Sequence, residues 1–543
     1  MPNIFVITIS ILHIYIVFDI KSITKGLLIT MSKQSSDHLF DLIKSLTKSE
    51  KRYFRLLSQQ QNESKAKYMQ LFDFLEQKEN YSSDLEGITF IKSSQISNMK
   101  AHLMQKILQA LRQFESAKNS EIHIREMIDY VQILYNRGLF RQAFDILKKA
   151  YKKVAKTGNL ELKLELLKWE KNLLNQSVGS QYSQNVQRVI SEVEDANSKI
   201  NLINQFTNLA VKLNAIYVKT GYIRNDEHLK EVQNLFYEGL PQHEEDTLSI
   251  HEKLSLYRLY VNYYYFLEDM EVGFQYALKW LQLYDQHPDL KNSQLNDYLS
   301  AVNQVMIAEY KLFYYQNFLK SRQRLHDLNE QMQNSVNENI RNRLIKYVYV
   351  HEFNRIFMLG KFNLGVKLLK RLSPDLEAFI QRSDEHSRII LFYKIACLYF
   401  GDSQYHKALE WLNRVQQDEK TDLREDIHSF ARILSLIAHY ELGNMEVIDY
   451  YIRSTYRFLL KKGELHLFQK YIMRFLRKLA GEFREEELIP EFKKLLKNLE
   501  PLQDIRYEKR SFIYFDIIAW LESKIMGISV QQRIQERARQ KMR

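Results

Sequence analysis

Three short stretches of this chain place histidine and acidic residues at spacings that metal chemistry uses. His243-Glu244 and His251-Glu252 open as the His-Glu pair of a zinc protease does; there, two histidines one helical turn apart hold the metal and the glutamate activates its water. Neither stretch has a second histidine four residues after the first, so neither can present two imidazoles on one helix face. Glu425-Asp426-Ile427-His428 has the Glu-x-x-His spacing of di-iron bundles. Such a centre needs a second copy and partner glutamates, and no second Glu-x-x-His exists; the expected role is an ion pair or cap at the surface. The glycines are too dispersed for a Gly-x-x-x-x-Gly-Lys-[Ser/Thr] phosphate loop or a Gly-x-Gly-x-x-Gly fingerprint. The single cysteine, Cys397 in Ile395-Ala396-Cys397-Leu398, excludes a disulfide framework and a cysteine-rich zinc site and reads as a small buried hydrophobe. No Ser/His/Asp or Cys/His constellation stands out. The expectation is a chain that is not an enzyme and needs no cofactor or metal.

What positions these residues is a repeat. Turn-like positions recur at Gly138, Gly179, Gly221, Glu268, Gln316, Gly360, Gly401 and Gly443, spaced 41, 42, 47, 48, 44, 41 and 42 residues apart in a chain with only 15 glycines. A period in this range marks stacked helical hairpins. The scarcity of glycine and proline (6 prolines in 543 residues) leaves little material for the tight turns of sheets. Net charge is +12, but 78 basic and 66 acidic residues are interspersed, so most of the charge is expected on solvated helix faces.

The clearest repeat carries Val131, Leu134 and Tyr135 before Gly138, then Phe140, Ala143 and Leu147 on the returning helix. A second copy runs from Tyr393 through Gly401 to Tyr405, Ala408, Leu409 and Leu412, with a turn two residues longer. Others surround Gly360 with Gly365 and Leu369, Gly443 with Ile448 and Ile452, and Glu268 with Gly273 and Ala277. A small residue on the second helix lets the two helices approach closely. Gly179, Gly221 and Gln316 rest on the stride alone. This pattern resembles the tetratricopeptide repeat over roughly residues 120 to 460, with a stride longer than that family's 34 residues. Two helices of about 17 residues would account for the difference. The prolines at 241, 288, 374, 490 and 501 are expected where a helix has already ended or not yet begun.

In that family the first helix of each hairpin lines a concave groove. The resemblance then points to Arg258, Asn262 and Asn354 as polar contacts for a peptide, with Ile307 where a carboxylate clamp would want asparagine. Tyr257, Tyr260, Tyr263, Tyr264 and Tyr265 crowd one helix, and Tyr310, Phe313, Tyr314 and Tyr315 another. They are read as core between hairpins, with the remainder lining the groove.

Residues 37 to 118 do not follow the stride. Asp37 is expected to cap a first helix, and Thr47-Lys48-Ser49-Glu50 is a capping box that should start another. Leu46 to Leu57 also looks like the opening of a LuxR-type helix-turn-helix, and Met99-Lys100-Ala101-His102-Leu103 with Ile107 and Leu111 is similar to its recognition helix, although the interval between them is longer than that family allows. On that resemblance Lys44, Lys48, Lys51, Arg52 and Arg55 would meet phosphates. Upstream, the apolar run Asn3–Phe18 is short of the ~20 residues of a membrane helix; a true start at Met31 is expected, with a membrane anchor or a signal peptide as alternatives.

The expected fold is therefore all-α, an α-solenoid of stacked antiparallel, tetratricopeptide-like hairpins with an N-terminal helical cap. The expected divisions are an apolar segment 1–30, an N-terminal helical domain 31–118, repeats 119–462, C-terminal helices 463–530 and a basic, solvent-facing tail 531–543. The expected function is a cytoplasmic, non-enzymatic scaffold that binds a protein or peptide on its concave surface. The second reading is a transcriptional regulator with an N-terminal DNA-binding domain and a repeat sensor domain. A membrane enters only if residues 1–30 are real.

Overall fold

The computed structural model describes residues 35–60, 66–78, 90–176, 182–332, 338–382, 385–417, 423–463, 465–480, 485–505, 507–509 and 511–542. Every regular element among them is helical, so the fold is all-α. The apolar run Asn3–Phe18, Met31 and Gly179 lie outside the described residues. The chain forms two compact units, Lys21–Ile200 and Asn201–Arg543, a division that falls inside the expected repeat span.

In the first unit the helices are α1 (Ser35–Ser45), α2 (Lys48–Gln60), α3 (Lys67–Gln77), α4 (Ile96–Ser116), α5 (Ser120–Asn136), α6 (Phe140–Thr157), α7 (Leu160–Leu174) and the opening of α8 (Tyr182–Thr220). Helix α1 starts two residues before the expected cap Asp37, because Ser35 and Ser36 are equally competent at a helix start. The capping box of α2 is present: the Thr47 N–H donates to Glu50 Oε2 at 2.7 Å and Thr47 Oγ1 accepts from the Glu50 N–H at 3.3 Å. Helices α1 to α4 share one core, including Leu39, Ile43, Phe54, Phe72, Leu103 and Ile107. Helix α3 thus occupies the interval between the two stretches that resemble a helix-turn-helix. The hairpin α5–α6 packs as its residues anticipate, with Val131, Ala143 and Leu147 wholly buried.

The second unit continues α8 and then runs α9 (Asp226–Gly239), α10 (Ile250–Phe266), α11 (Met270–Gln286), α12 (Pro288–Ser293), α13 (Leu295–Lys311), α14 (Tyr315–Met332), α15 (Glu338–Leu359), α16 (Phe362–Arg382), α17 (Glu385–Gly401), α18 (Tyr405–Gln417), α19 (Glu425–Glu441), α20 (Met445–Lys462), α21 (Leu467–Leu479), α22 (Leu488–Leu499), α23 (Ser511–Tyr514), α24 (Ile517–Met526) and α25 (Val530–Met542). The hairpin arms are long, as the stride implied: α10, α11, α13, α17 and α19 have 17 residues each. Close helix approach is built in at Gly273, where an added Cβ would lie 2.4 Å from the Tyr265 ring.

One backbone motif closes the first helix of six hairpins. Left-handed residues stand at Gly138, Glu268, Phe313, Gly360, Ser403 and Gly443. Each donates its N–H to the carbonyl three residues back, and the next residue donates to the carbonyl five back. The bonds that reach five residues back measure 3.0 Å for Leu139 to Leu134, 2.9 Å for Asp269 to Tyr264 and 2.8 Å for Tyr314 to Glu309. They measure 3.1 Å for Lys361 to Ile356, 2.8 Å for Gln404 to Tyr399 and 3.0 Å for Asn444 to His439. This is the Schellman arrangement, which satisfies the last carbonyls of a helix. Gly221, also left-handed, closes α8 with the simpler bond to Tyr217 O at 2.8 Å.

Two rungs move. Gln316 lies inside α14 and the turn is at Phe313; Gly401 is the last residue of α17 and the turn is at Ser403. A left-handed non-glycine residue costs roughly 1–2 kcal/mol, which hairpin packing outweighs, so residue type does not mark these turns. Pro490, expected before a helix begins, is the third residue of α22, where its missing N–H costs no helical bond; Pro374, expected outside a helix, is within α16. Its cost of about 3 kcal/mol in a helix interior is opposed by the apolar positions Leu369 and Ile380, both buried on either side of it.

Three first helices in this unit, α13, α17 and α19, are covered on all sides over much of their length. Every residue from Ala301 to Lys311 in α13, from Tyr393 to Leu398 in α17 and from Ile433 to Ala438 in α19 is buried. A helix with one face to solvent breaks such a run every third or fourth residue. Helices α21 to α25 join the same core through Phe468, Phe492, Trp520 and Ile534. The tail expected to face solvent is helix α25, with Val530, Ile534 and Ala538 buried at i, i+4 and i+8. Gln535 Nε2 donates to Gly360 O at 3.1 Å, and Arg537 pairs with Asp516 at 3.1 Å.

Gly221 and Ser403 test the turn geometry. A Cβ at Gly221 would meet Asp426 Oδ2 at 2.1 Å, whereas at Gly443 it meets open space. Gly221→Ala is expected to cost about 3 kcal/mol or more and Gly443→Ala about 1 kcal/mol in denaturant titrations; equal losses would refute the role given to Gly221. Ser403→Gly is expected to raise stability by up to about 1 kcal/mol, by relieving its left-handed backbone.

Candidate functional site

Within the first unit, three of the five basic residues read as phosphate contacts are engaged at home. Lys44 Nζ donates to Glu76 O at 2.7 Å, Lys51 pairs with Glu76 at 3.3 Å, and Arg55 bonds both Asp73 (2.8 Å) and Glu76. The pairs keep the Glu76 carboxylate below its ordinary range despite partial burial. A cleft of about 360 Å³ opens beside α2, lined by Phe54, Tyr68, Lys106, Arg112, Asp129 and Tyr130 among others. Its charges are largely matched, since Arg112 pairs with Asp129.

In the second unit, the three residues expected to touch a peptide are placed differently from one another. Arg258 is partly exposed and lies 3.7 Å from Asp297. Asn262 and Asn354 are interior, each 2% exposed. Neither amide atom of Asn262 has a hydrogen-bond partner among the described residues. The faces of α10 and α15 that carry these two residues, which an open repeat would leave to a ligand, are packed.

Asn354 is the centre of an oriented relay. Lys394 Nζ donates to Asn354 Oδ1 at 2.6 Å, the Asn354 amide nitrogen lies 3.3 Å from His351 Nδ1, and His351 Nε2 lies 3.0 Å from Asn303 Oδ1. Asn354 donates through its NH2 and Asn303 accepts through its oxygen, so only the neutral imidazole protonated at Nε2 satisfies both bonds. Burial, with Lys394 near, pushes His351 down to about 3, which agrees with a neutral ring.

Two lysines end in this interior. Lys394 is wholly buried, with Asn354 as its hydrogen-bond acceptor and the rings of Phe357 and Tyr310 at 5.4 and 5.6 Å from Nζ. Lys311 donates to the Tyr222 hydroxyl at 2.5 Å. Burial pushes both amines down to about 7; Glu268 opposes the fall at Lys311, while Lys311 adds to it at Lys394. The Cys397 thiol, on the turn after Lys394, is buried and pushed up. Beside the lysines, Arg424 and Asp426 form a doubly bonded pair at 2.9 and 2.7 Å with no solvent exposure. The Arg424 N–H donates to Val218 O at 3.0 Å, and its guanidinium lies 5.3 Å from the Tyr217 ring centre. Glu425 bonds Arg224 at 2.9 Å and Lys462 at 3.1 Å. The Glu-x-x-His stretch is therefore an ion-pair element, as expected, but in the interior rather than on the surface. Among the described residues no group of three His, Cys, Asp or Glu is placed to hold a metal.

The exposed part of the tyrosine-rich region is elsewhere. Tyr260 and Tyr276 stack with ring centres 4.5 Å apart, Tyr264 and Tyr276 at 5.7 Å and nearly parallel. All three are half-buried, and Tyr237 beside them is 65% exposed. Tyr257, Tyr263 and Tyr265 are core, as most of this cluster was read to be. Tyr260 is two residues from both Arg258 and Asn262, a rotation of roughly 200° on the helix, so the open tyrosines and the asparagine lie on opposite faces of α10. Lys394 carried a readable signal, a charge in the middle of an apolar run from Ile389 to Leu398. Arg424 and Asp426 carried none, because what buries them is two hundred residues away. Among the described residues no helix is long and apolar enough to cross a membrane.

No protein-family model matches the chain, and no curated protein is significantly similar to it in sequence. The interior must therefore be tested on this chain itself. Unfolded, Lys394 keeps its proton to about its ordinary value of 10.5; folded, it does so only to about 7. Between these values the unfolded state binds more protons, so stability rises with pH, and below about 7 the cost of the buried charge is constant. Lys394→Met is expected to flatten the rise in unfolding midpoint between pH 7 and 9, with Lys311 supplying the remaining slope. Parallel midpoint curves for the two proteins would refute the buried, charge-costly lysine.

Proposed function

We propose that the chain is a non-enzymatic, tetratricopeptide-like scaffold that holds a protein or peptide partner against the tyrosines of α9 to α11. The observation that carries this is the stacked set Tyr260, Tyr264 and Tyr276 beside the exposed Tyr237. Tyrosine offers a large rigid contact area and a hydroxyl at little cost in side-chain entropy. Stacking on one another pre-organises these rings, which lowers the ordering cost of binding. Because Asn262 and Asn354 are buried, the docking surface we propose is this outer aromatic face rather than a groove containing them. No cofactor takes part, and the proposed setting is the cytoplasm.

Affinity capture from the native cell tests this with two variants. Tyr237→Ser changes an exposed ring and should leave melting unchanged; Tyr260→Ser combined with Tyr276→Ser removes the stack. Recovery of the same partner is expected to fall about tenfold or more in both, as loss of one strong aromatic anchor implies. Undiminished recovery in both would sink the aromatic face as the docking site.

A further inference from the structure

Helix α20 buries Ile448, Ile452, Thr455 and Leu459 along one side. Away from that side it sends large apolar groups into solvent: Tyr450 is 64% exposed and Leu460 60%, with Val447 and Tyr456 exposed on its two flanks. Apolar side chains this exposed gain from being covered, and large ones of this kind serve as anchors for a partner. The same region is one-sided in charge. Between Arg453 and Lys478 the sequence has eight Lys and Arg against one acidic residue, Glu464. Asp449 is shared by Arg453 (2.9 Å) and Arg477 (3.4 Å), Lys462 pairs with Glu425 and Lys478 with Glu491. Arg457, Lys461, Lys470 and Arg474 are exposed and have no carboxylate partner among the described residues.

We infer that the exposed side of α20, continued by α21, docks an acidic amphipathic protein segment, one that alternates carboxylates with leucine-like side chains. Charge complementarity selects the acid, and desolvation of Tyr450 and Leu460 selects the apolar anchors. A nucleic acid would use the cations and flat ring faces but gain nothing from Val447 or Leu460. One ring face of Tyr451 is already taken by His439, stacked at 4.6 Å. An anionic membrane would favour apolar and basic residues segregated to separate stripes. Here Arg453, Arg457 and Lys461 are interleaved with Tyr450 and Leu460 on the same side of the helix, and only a partner that is itself interleaved matches both. This surface uses none of the tyrosines of α9 to α11 and stands independently of them.

The test is fluorescence anisotropy on the full chain with a labelled peptide of repeated Glu-Glu-Leu-Leu blocks. Saturable binding is expected, weakened about tenfold or more by Arg457→Glu with Lys461→Glu and, separately, by Tyr450→Ser with Leu460→Ser. All four residues are on the surface, and unchanged melting shows that the variants stay folded. Tyr237→Ser is expected to leave this binding intact, so failure at one surface does not count against the other. Equal binding by the variants, or tighter binding of oligothymidylate or of phosphatidylserine vesicles than of the peptide, would overturn the inference.

Discussion

Arg424 and Asp426 face each other without solvent, and the backbone of Arg424 is tied to Val218 at the end of α8. Removing two charges from water is expensive, and a buried pair is stable only when its geometry and remaining hydrogen bonds are right. Here the guanidinium is held in plane by two bonds to one carboxylate and rests near the Tyr217 ring, while Gly221 leaves room for that carboxylate by having no side chain. The pair joins the start of α19 to the end of α8, and beside it Arg224 bonds Glu425 and Lys311 bonds Tyr222.

Elsewhere in the interior, α13, α15 and α17 present polar side chains to one another rather than to water. Lys394, Asn354, His351 and Asn303 answer with a bonded relay, because each buried polar atom left unpaired costs about as much as a lost hydrogen bond. Asn262 marks a position where the described residues offer no partner. Asn303, His351, Asn354 and Lys394 are thus bonded to one another in the interior rather than open to solvent.

The hairpins were legible because their signal is local. Ala143, Leu147, Gly365 and Ile452 announce a packed helical face by spacing alone, and Gly138, Gly360 and Gly443 announce a turn by needing the left-handed backbone. Phe313 and Ser403 were not legible, since a turn enforced by packing accepts a residue that would not choose it. The same holds for Pro374, which reads as a breaker and lies in a helix. The site was less legible than the fold. Arg258, Asn262 and Asn354 share a sequence offset, yet whether that offset faces water depends on what lies across from it.

By itself, then, the sequence determined the all-α class, the long hairpin arms, the capping box at Thr47 and the buried nature of Cys397. These rest on 3.6-residue periodicity and on bonds within a few residues. Only the tertiary structure decided that α13, α17 and α19 are covered on all sides, that Lys311 and Lys394 end in the interior, and that the open tyrosines face away from Asn262. Solvent exposure of a helix face is a property of contacts between residues far apart in the chain, such as Val218 and Arg424, and no local pattern encodes those contacts.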